Sequence, residues 1–367
     1  MHYGDACPGA LQMHHAADGA LARVRLPGGV ITADQLGALA QAAMRFGSEA
    51  MELTSRGNVQ VRGITDAAAL ADAVAAAGLL PSRTHERVRN IVASPLSGRV
   101  GAHADVRRWT GALDAAIQSE TALASLPGRF WFSIDDGRGD VSGLAADAGA
   151  HVLGDGVALL LAGRDTGVRM SLLQAVPTLV SVAVRFAAVR GSAWRVGELS
   201  DIRPLLKDLV GSASSGAAWP AVTRPAVGWI PQNDGRVALG AAAPLGVLQA
   251  AVAEHLAAIG APMVITPWRS VLIFDLEEGV ADAALRVLAP LGLIFDENSP
   301  WLNVSACTGT PGCEHAAADV RADAAASLTA GGPHRHYVGC ERACGSPPAG
   351  EVMMATGDGY RRRRAGP

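Results

Sequence analysis

The alternation of apolar and polar positions along the chain predicts a small strand and helix unit that occurs twice. In the first copy residues 21–26 read as a strand, Pro27-Gly28-Gly29 as a turn, and 32–46 as an amphipathic helix. Strands follow at 50–53 and 59–62, and a second helix over 65–77 stops at Gly78. In the second copy an Asp234-Gly235 turn leads to a strand at 236–239 and a helix over 245–259. A strand ending at 265, another at 271–276 and a helix over 281–291 complete it.

The two copies coincide at one spot. Thr54-Ser55-Arg56-Gly57-Asn58-Val59 and Thr266-Pro267-Trp268-Arg269-Ser270-Val271 both lie between two strands. A tandem duplication is therefore expected, with halves at 1–82 and 213–292, each followed by a different α+β segment at 83–212 and 293–367. The Ser, Gly, Ala and Pro run at 211–224 reads as the linker, and 331–333 as a second irregular link.

Composition narrows the class. With 367 residues, 49% hydrophobic and 18% charged, the chain can bury a large core and is not of the disordered kind. A net charge of −3 and 4% aromatics argue against a nucleic-acid binder. No apolar run approaches the roughly 20 residues of a membrane span. The opening MHYGDACPGA has no basic stretch followed by an apolar one, so a cytoplasmic, reducing setting is expected.

Cysteine placement supplies the first chemistry. Cys7 stands alone, whereas Cys307 and Cys313 have five residues between them, Cys340 and Cys344 have three, and 26 separate the pairs. Four thiolates suit an iron-sulfur cubane, and the wide, glycine-rich first loop favours it over the tighter spacing usual for zinc. A zinc site recruiting His315, His334 or His336, or plain reduced thiols, are the alternatives. Residues 314–328 read as an alanine-rich helix and 335–339 as a strand delivering the second pair. A second pattern puts Arg56, Asn58, Gln60 and Arg62 at every other position, hence on one strand face. Such a face suits an anion, carboxylate as readily as phosphate, or simply solvent.

Together these residues resemble the nitrite and sulfite reductase family, whose duplicated ferredoxin-like half-domains carry a Thr-x-Arg-x-x-x-Gln strand and whose C-terminal domain carries the same cysteine pairs. Arg89-Asn90-Ile91 with Ser94-Pro95, Leu126-Pro127-Gly128-Arg129-Phe130 and Thr266-Pro267-Trp268-Arg269 agree in order, so the resemblance spans nearly the whole chain. It implies a 4Fe-4S cluster coupled through Cys344 to siroheme, with Arg56, Arg89 and Arg129 inheriting basic anion-holding roles. Two departures stand out: Trp131 replaces a reductase lysine, and Glu341-Arg342 replaces Pro-Asn after the third cysteine. Loss of a cation disfavours sulfite or nitrite chemistry.

Cys7-Pro8-Gly9-Ala10, Asp18-Gly19, Gly228-Trp229-Ile230 and Thr266 to Ser270 look instead like the oxygen-dependent branch that takes the tetrapyrrole as substrate. The resemblance then implies hydroxylation of precorrin-3A by dioxygen with γ-lactone closure, and a non-haem iron besides the cluster. Arg56, Arg62, Arg89, Arg129 and Arg269 become expected carboxylate clamps, with Asn58 and Gln60 on the same strand. His14, His15, His85, His103 and Asp135 are available for iron, though spacing picks out no triad. With no G-x-G-x-x-G opening a βαβ unit, electrons are expected from an external NAD(P)H-dependent reductase or ferredoxin. The Arg361 to Arg364 run offers an acidic partner a docking point or is a solvated tail.

Overall fold

A computed structural model of the chain describes residues 7–209 and 211–363. Arg364, the end of the basic run, and the first six residues read for a leader lie outside the described residues. Among those described, no helix is long and apolar enough to cross a membrane.

The first half supplies β1 (His14–Ala16), β2 (Gly19–Val24), β3 (Val30–Ile31), α1 (Ala33–Phe46), β4 (Ala50–Leu53), β5 (Val59–Ile64) and α2 (Ala67–Ala76). The Thr32 hydroxyl accepts from the Gln35 N–H while the Gln35 side chain accepts from the Thr32 N–H, so α1 begins at a capping box. The middle segment holds β6 (Ile91–Ala93), α3 (Arg107–Ser119), β7 (Phe132–Asp135), β8 (Ala148–Leu153), β9 (Gly156–Leu161), β10 (Arg164–Met170) and α4 (Ala175–Val189). The second half gives β11 (Gly228–Pro231), β12 (Val237–Ala242), β13 (Val247–Gln249), α5 (Ala250–Ala258), β14 (Met263–Ile265), β15 (Ser270–Leu276) and α6 (Glu278–Leu288). The C-terminal segment adds β16 (Val304–Ala306), α7 (Val320–Ala326), β17 (Arg335–Val338), β18 (Glu351–Thr356) and β19 (Gly359–Arg363).

The chain divides into two compact units. One comprises residues 9–24, 30–80 and those from 223 onward. Its two five-stranded sheets run β1-β2-β5-β4-β13 and β11-β12-β15-β14-β3, the same order in each copy. Each sheet takes its fifth strand from the other half: β13 pairs antiparallel with β4, and β3 with β14. The exchange corrects the helix expected over 245–259, because 247–249 is that exchanged strand and the helix starts only at Ala250. A four-stranded sheet, β16-β17-β18-β19, carries the cysteine loops, with α7 packed on it.

The helix expected over 314–328 shrinks to α7, capped by Asp319. Residues before it fold back on the cysteine loop instead: Ala317 N–H donates to the Gly339 carbonyl and Thr310 N–H to the Ala318 carbonyl. A Cβ on Gly339 would stand 2.4 Å from that of Ala316, so the close approach needs glycine.

The other unit comprises residues 25–29 and 81–222, with 7–8 at its start. Its sheet, β10-β9-β8-β7-β6, is parallel across β6, β7 and β8 and antiparallel beyond. Phe130, Phe132 and Phe186 fill the core, with ring centroids 5.0 and 5.1 Å from Phe130. The stretch expected as a linker is bridged to β10 at Val168↔Gly211 and Arg164↔Ala218, so its first part is bound to the sheet.

Candidate functional site

Cys307 follows β16 and Cys340 follows β17, two parallel strands paired from Val304↔Arg335 to Ala306↔Tyr337. That pairing brings the starts of both cysteine loops to one sheet end. All four thiols, Cys307, Cys313, Cys340 and Cys344, line a cavity of about 200 Å³ together with His14, His15, Arg23, Gln60, Arg62, His315 and Arg342. Cys7 belongs elsewhere, donating to the Gly128 carbonyl at 3.3 Å.

The thiols sense one another. Burial first, then the charges of Cys307, Cys340 and Cys313, pushes the Cys344 thiol up, with Arg342 opposing. Burial also raises Cys307, against hydrogen bonds from the Gly339 and Gly309 N–H groups. The Gly339 donor lies 3.3 Å from Cys307 Sγ.

Spacing tests the metal. Four sulfurs on one zinc at about 2.3 Å would stand roughly 3.8 Å apart. Among the described residues, no three of these thiols come within 4.8 Å; the one ligating group that does is Asp135, Asp136 and Asp140. Four convergent thiols too far apart for one ion fit a 4Fe-4S cluster, with backbone N–H groups already directed at one sulfur.

Of the four residues expected on one strand face, Gln60 and Arg62 lie on β5 and line the same pocket, whereas Arg56 and Asn58 fall in the turn before the strand. Gln60 lies opposite Arg23 on β2 and Glu52 on β4. Its carbonyl accepts from Arg23 at 2.8 Å, and its amide donates to Glu52 at 2.7 Å. Glu52 also accepts from Arg321 of α7. Arg62 grips Asp18 through two bonds of 2.8 Å and donates to the Gly312 carbonyl at 2.7 Å. Burial works against its charge, but Asp18, Glu52 and Cys313 outweigh that and hold its pKa above the ordinary arginine value. Arg62 thus ties β5 to the residue preceding Cys313. A Cβ on Gly312 would stand 2.7 Å from the Thr308 methyl and 3.1 Å from an Asp18 oxygen.

Several expected clamps are engaged by protein groups, which changes their reading. Besides Arg62, Arg89 is buried and makes a two-pronged pair with Asp114 at 2.6 and 2.9 Å. Arg269, at φ +59°, donates to the Gly345 carbonyl at 3.1 Å. Burial pushes its pKa down to about 10, Arg321 adding to the effect while Glu52 and Cys307 oppose it. Asn58 is buried, its N–H donating to the Thr54 hydroxyl in the turn that carries Arg56. Arg129 is exposed, with its guanidinium 5.7 Å from the Trp194 ring. Arg89 and Arg129 belong to the unit of residues 81–222.

The histidines considered for iron separate. His14 and His15 line the cysteine cavity, whereas His85 is buried with its Nε2 3.1 Å from the Glu120 carbonyl. Asp135 accepts from the N–H groups of Gly137, Gly139, Val141 and Ser142, so it shapes its own loop. Trp131 is buried; its backbone N–H donates to Asp147, which also holds Arg195 at 2.7 Å. Sequence reasoning passed over Glu52, Arg23, Arg321 and Ser305. Glu52 and Arg23 carry only the signal of register opposite Gln60; Arg321 and Ser305 carry none.

With this geometry in place, comparison defines the class. Residues 14–77 match the nitrite/sulfite reductase ferredoxin-like half domain. The chain has the fold of the NirA protein of Mycobacterium tuberculosis, with a TM-score of 0.78 at 19% identity over 94% of this chain and 73% of that one. The architecture is therefore the duplicated α+β fold of nitrite and sulfite reductases. Along nearly its full length the chain is similar to a precorrin-3B synthase from Sinorhizobium sp, 27% identical over 95% of this chain and 80% of the relative. Ferredoxin–nitrite reductase of Synechococcus elongatus is 35% identical over 127 residues, 32% of this chain and 25% of that enzyme.

Proposed function

We propose that the chain is a precorrin-3B synthase, hydroxylating precorrin-3A with dioxygen and closing a γ-lactone in aerobic cobalamin biosynthesis. One observation carries the reading: four thiols share a cavity, no three of them within 4.8 Å of one another, in a chain similar to a precorrin-3B synthase over 95% of its length. In this scheme Cys307, Cys313, Cys340 and Cys344 would hold a 4Fe-4S cluster, which would supply single electrons, and a separate non-haem iron would supply the oxygen chemistry. One oxygen atom enters the substrate and the other leaves as water, which takes two electrons from an external reductase or ferredoxin and two protons from solvent.

The chain's own residues hold and orient. Arg62 and Gly312 fix the first cysteine loop, and the Gly339 N–H donates to Cys307. The cavity rim carries His14, His15, Arg23, His315 and Arg342 against one acid, Glu314, a balance suited to the carboxylates of a precorrin. Arg342 stands where the reductases have Asn, and it joins Arg56 as a proposed substrate clamp.

A siroheme-containing ferredoxin-dependent nitrite or sulfite reductase is the second reading, favoured by the half-domain match and the nitrite reductase similarity. The buried indole of Trp131 speaks against it, since no lysine there meets the anion. Acid-acetone extraction of anaerobically reconstituted protein, with iron counted against sulfide, separates the two. Iron in excess of sulfide and no siroheme is the expected result; stoichiometric siroheme overturns it in favour of the reductase.

A further inference from the structure

Behind Cys344 the C-terminal sheet buries polar side chains amid an apolar core. Ser305 on β16 and His336 on β17 are register partners, and His334 precedes His336 by two residues. Ser305 Oγ lies 2.7 Å from His336 Nδ1 and 2.8 Å from His334 Nε2, and His336 Nε2 lies 2.9 Å from the Cys344 carbonyl oxygen. A carbonyl only accepts, so His336 Nε2 carries a proton and donates it. Its bare Nδ1 accepts from the Ser305 hydroxyl, whose oxygen in turn accepts from His334 Nε2–H. One hydrogen-bond direction runs through all three side chains.

The next residue is gripped as well. Arg269 donates to the Gly345 carbonyl, and a Cβ on Gly345 would stand 2.9 Å from that guanidinium and 3.7 Å from the His336 ring. Consecutive carbonyls at 344 and 345 are thus pinned by one donor from β17 and one from the loop before β15. A buried serine and a buried histidine, with a half-buried second histidine, pack less favourably than aliphatic residues unless their bonds do something that an apolar core would not.

We propose that His336, locked in one tautomer by Ser305, is a positioning residue of the cysteine centre: it fixes the Cys344 peptide and makes the centre easier to reduce. The inference rests on the cluster reading above. Adding an electron adds negative charge, which a donor drawn onto the ligand's own peptide stabilises, so removing that donor lowers the potential.

The test uses the full chain, reconstituted anaerobically with iron and sulfide and titrated with redox dyes while the reduced cluster is followed by electron paramagnetic resonance. His336→Leu is expected to shift the midpoint to more negative potential, and His336→Gln, which keeps a donor of similar reach, to recover at least half of the shift. Ser305→Ala leaves the ring in place without its lock and is expected to shift the midpoint less, in the same direction. If His336→Leu does not fold, Ser305→Ala against His336→Gln decides. Midpoints equal to wild type at full iron and sulfide content overturn the positioning role and leave the cluster standing. A wild-type chain that takes up no iron and sulfide overturns the cluster reading itself, and the inference with it.

Discussion

Replacement of Arg62 by alanine separates two roles for one guanidinium. Its side chain is 9% exposed and Asp18 31%, and it makes two bonds to that carboxylate and a third to the Gly312 carbonyl. Breaking a fully buried ion pair from one side costs about 3–5 kcal/mol, but Asp18 regains water once released, so about 2–4 kcal/mol is expected. Arg62 spans from β5 to the residue before Cys313, so the loss falls on the cluster as well as on the fold. In R62A, urea unfolding of the loaded protein should shift to lower midpoint, and chelator should strip iron from the folded protein faster than from wild type. Arg62→Lys should recover only part of both, since an ammonium cannot make the forked contact. Weakened tetrapyrrole binding with unchanged unfolding and iron release would refute this reasoning and return Arg62 to the substrate.

Further predictions concern other groups. Cys313→Ser or Cys340→Ser should abolish the broad cluster absorption, and a variant retaining it would remove that cysteine from the ligand set. Arg342→Ala should weaken binding of a polycarboxylate tetrapyrrole by about 1.5–3 kcal/mol, the scale of a charge-assisted hydrogen bond, with iron content unchanged; equal affinity in a titration would exclude it as a clamp. Burial, then the charge of Asp135, raises Asp140 to about 7, against the Ser94 hydrogen bond and Arg138. A folded pKa above the unfolded one means that stability falls as pH rises from about 4 to about 7 and is level beyond. Asp140→Asn should therefore stabilise at pH 8 by up to about 4 kcal/mol and change little at pH 4, read by urea unfolding at both. Equal effects at the two pH values would show that folding does not raise the Asp140 pKa.

Much of the architecture was legible because periodicity reports local burial. The capping box at Thr32, the alternation of β5 and the repeat of the Thr54 and Thr266 turns each carry their own signal. Strand exchange did not show, because Val247–Gln249 is short and abuts the helix Ala250–Ala258, so its pattern merges with helical periodicity. The chain before α7 read as helix because alanine is a good helix former; contact of Ala316 with Gly339 overrode that propensity. The cysteine pairs were plain from spacing, but the arginines near them were not. An arginine beside a motif reads alike whether it faces a substrate or a protein carboxylate, and Asp18 and Asp114 are far in sequence from Arg62 and Arg89. The Ser305, His334 and His336 chain depends on the pairing of two strands separated by a whole helix, which no local pattern announces.

The most direct test supplies the loaded protein with precorrin-3A, a reducing partner and labelled dioxygen, and examines the tetrapyrrole by mass spectrometry. The account predicts one labelled oxygen atom in a lactone product, formed only when the cluster is present. Unaltered precorrin-3A, together with siroheme in the protein and turnover of nitrite or sulfite, would contradict it.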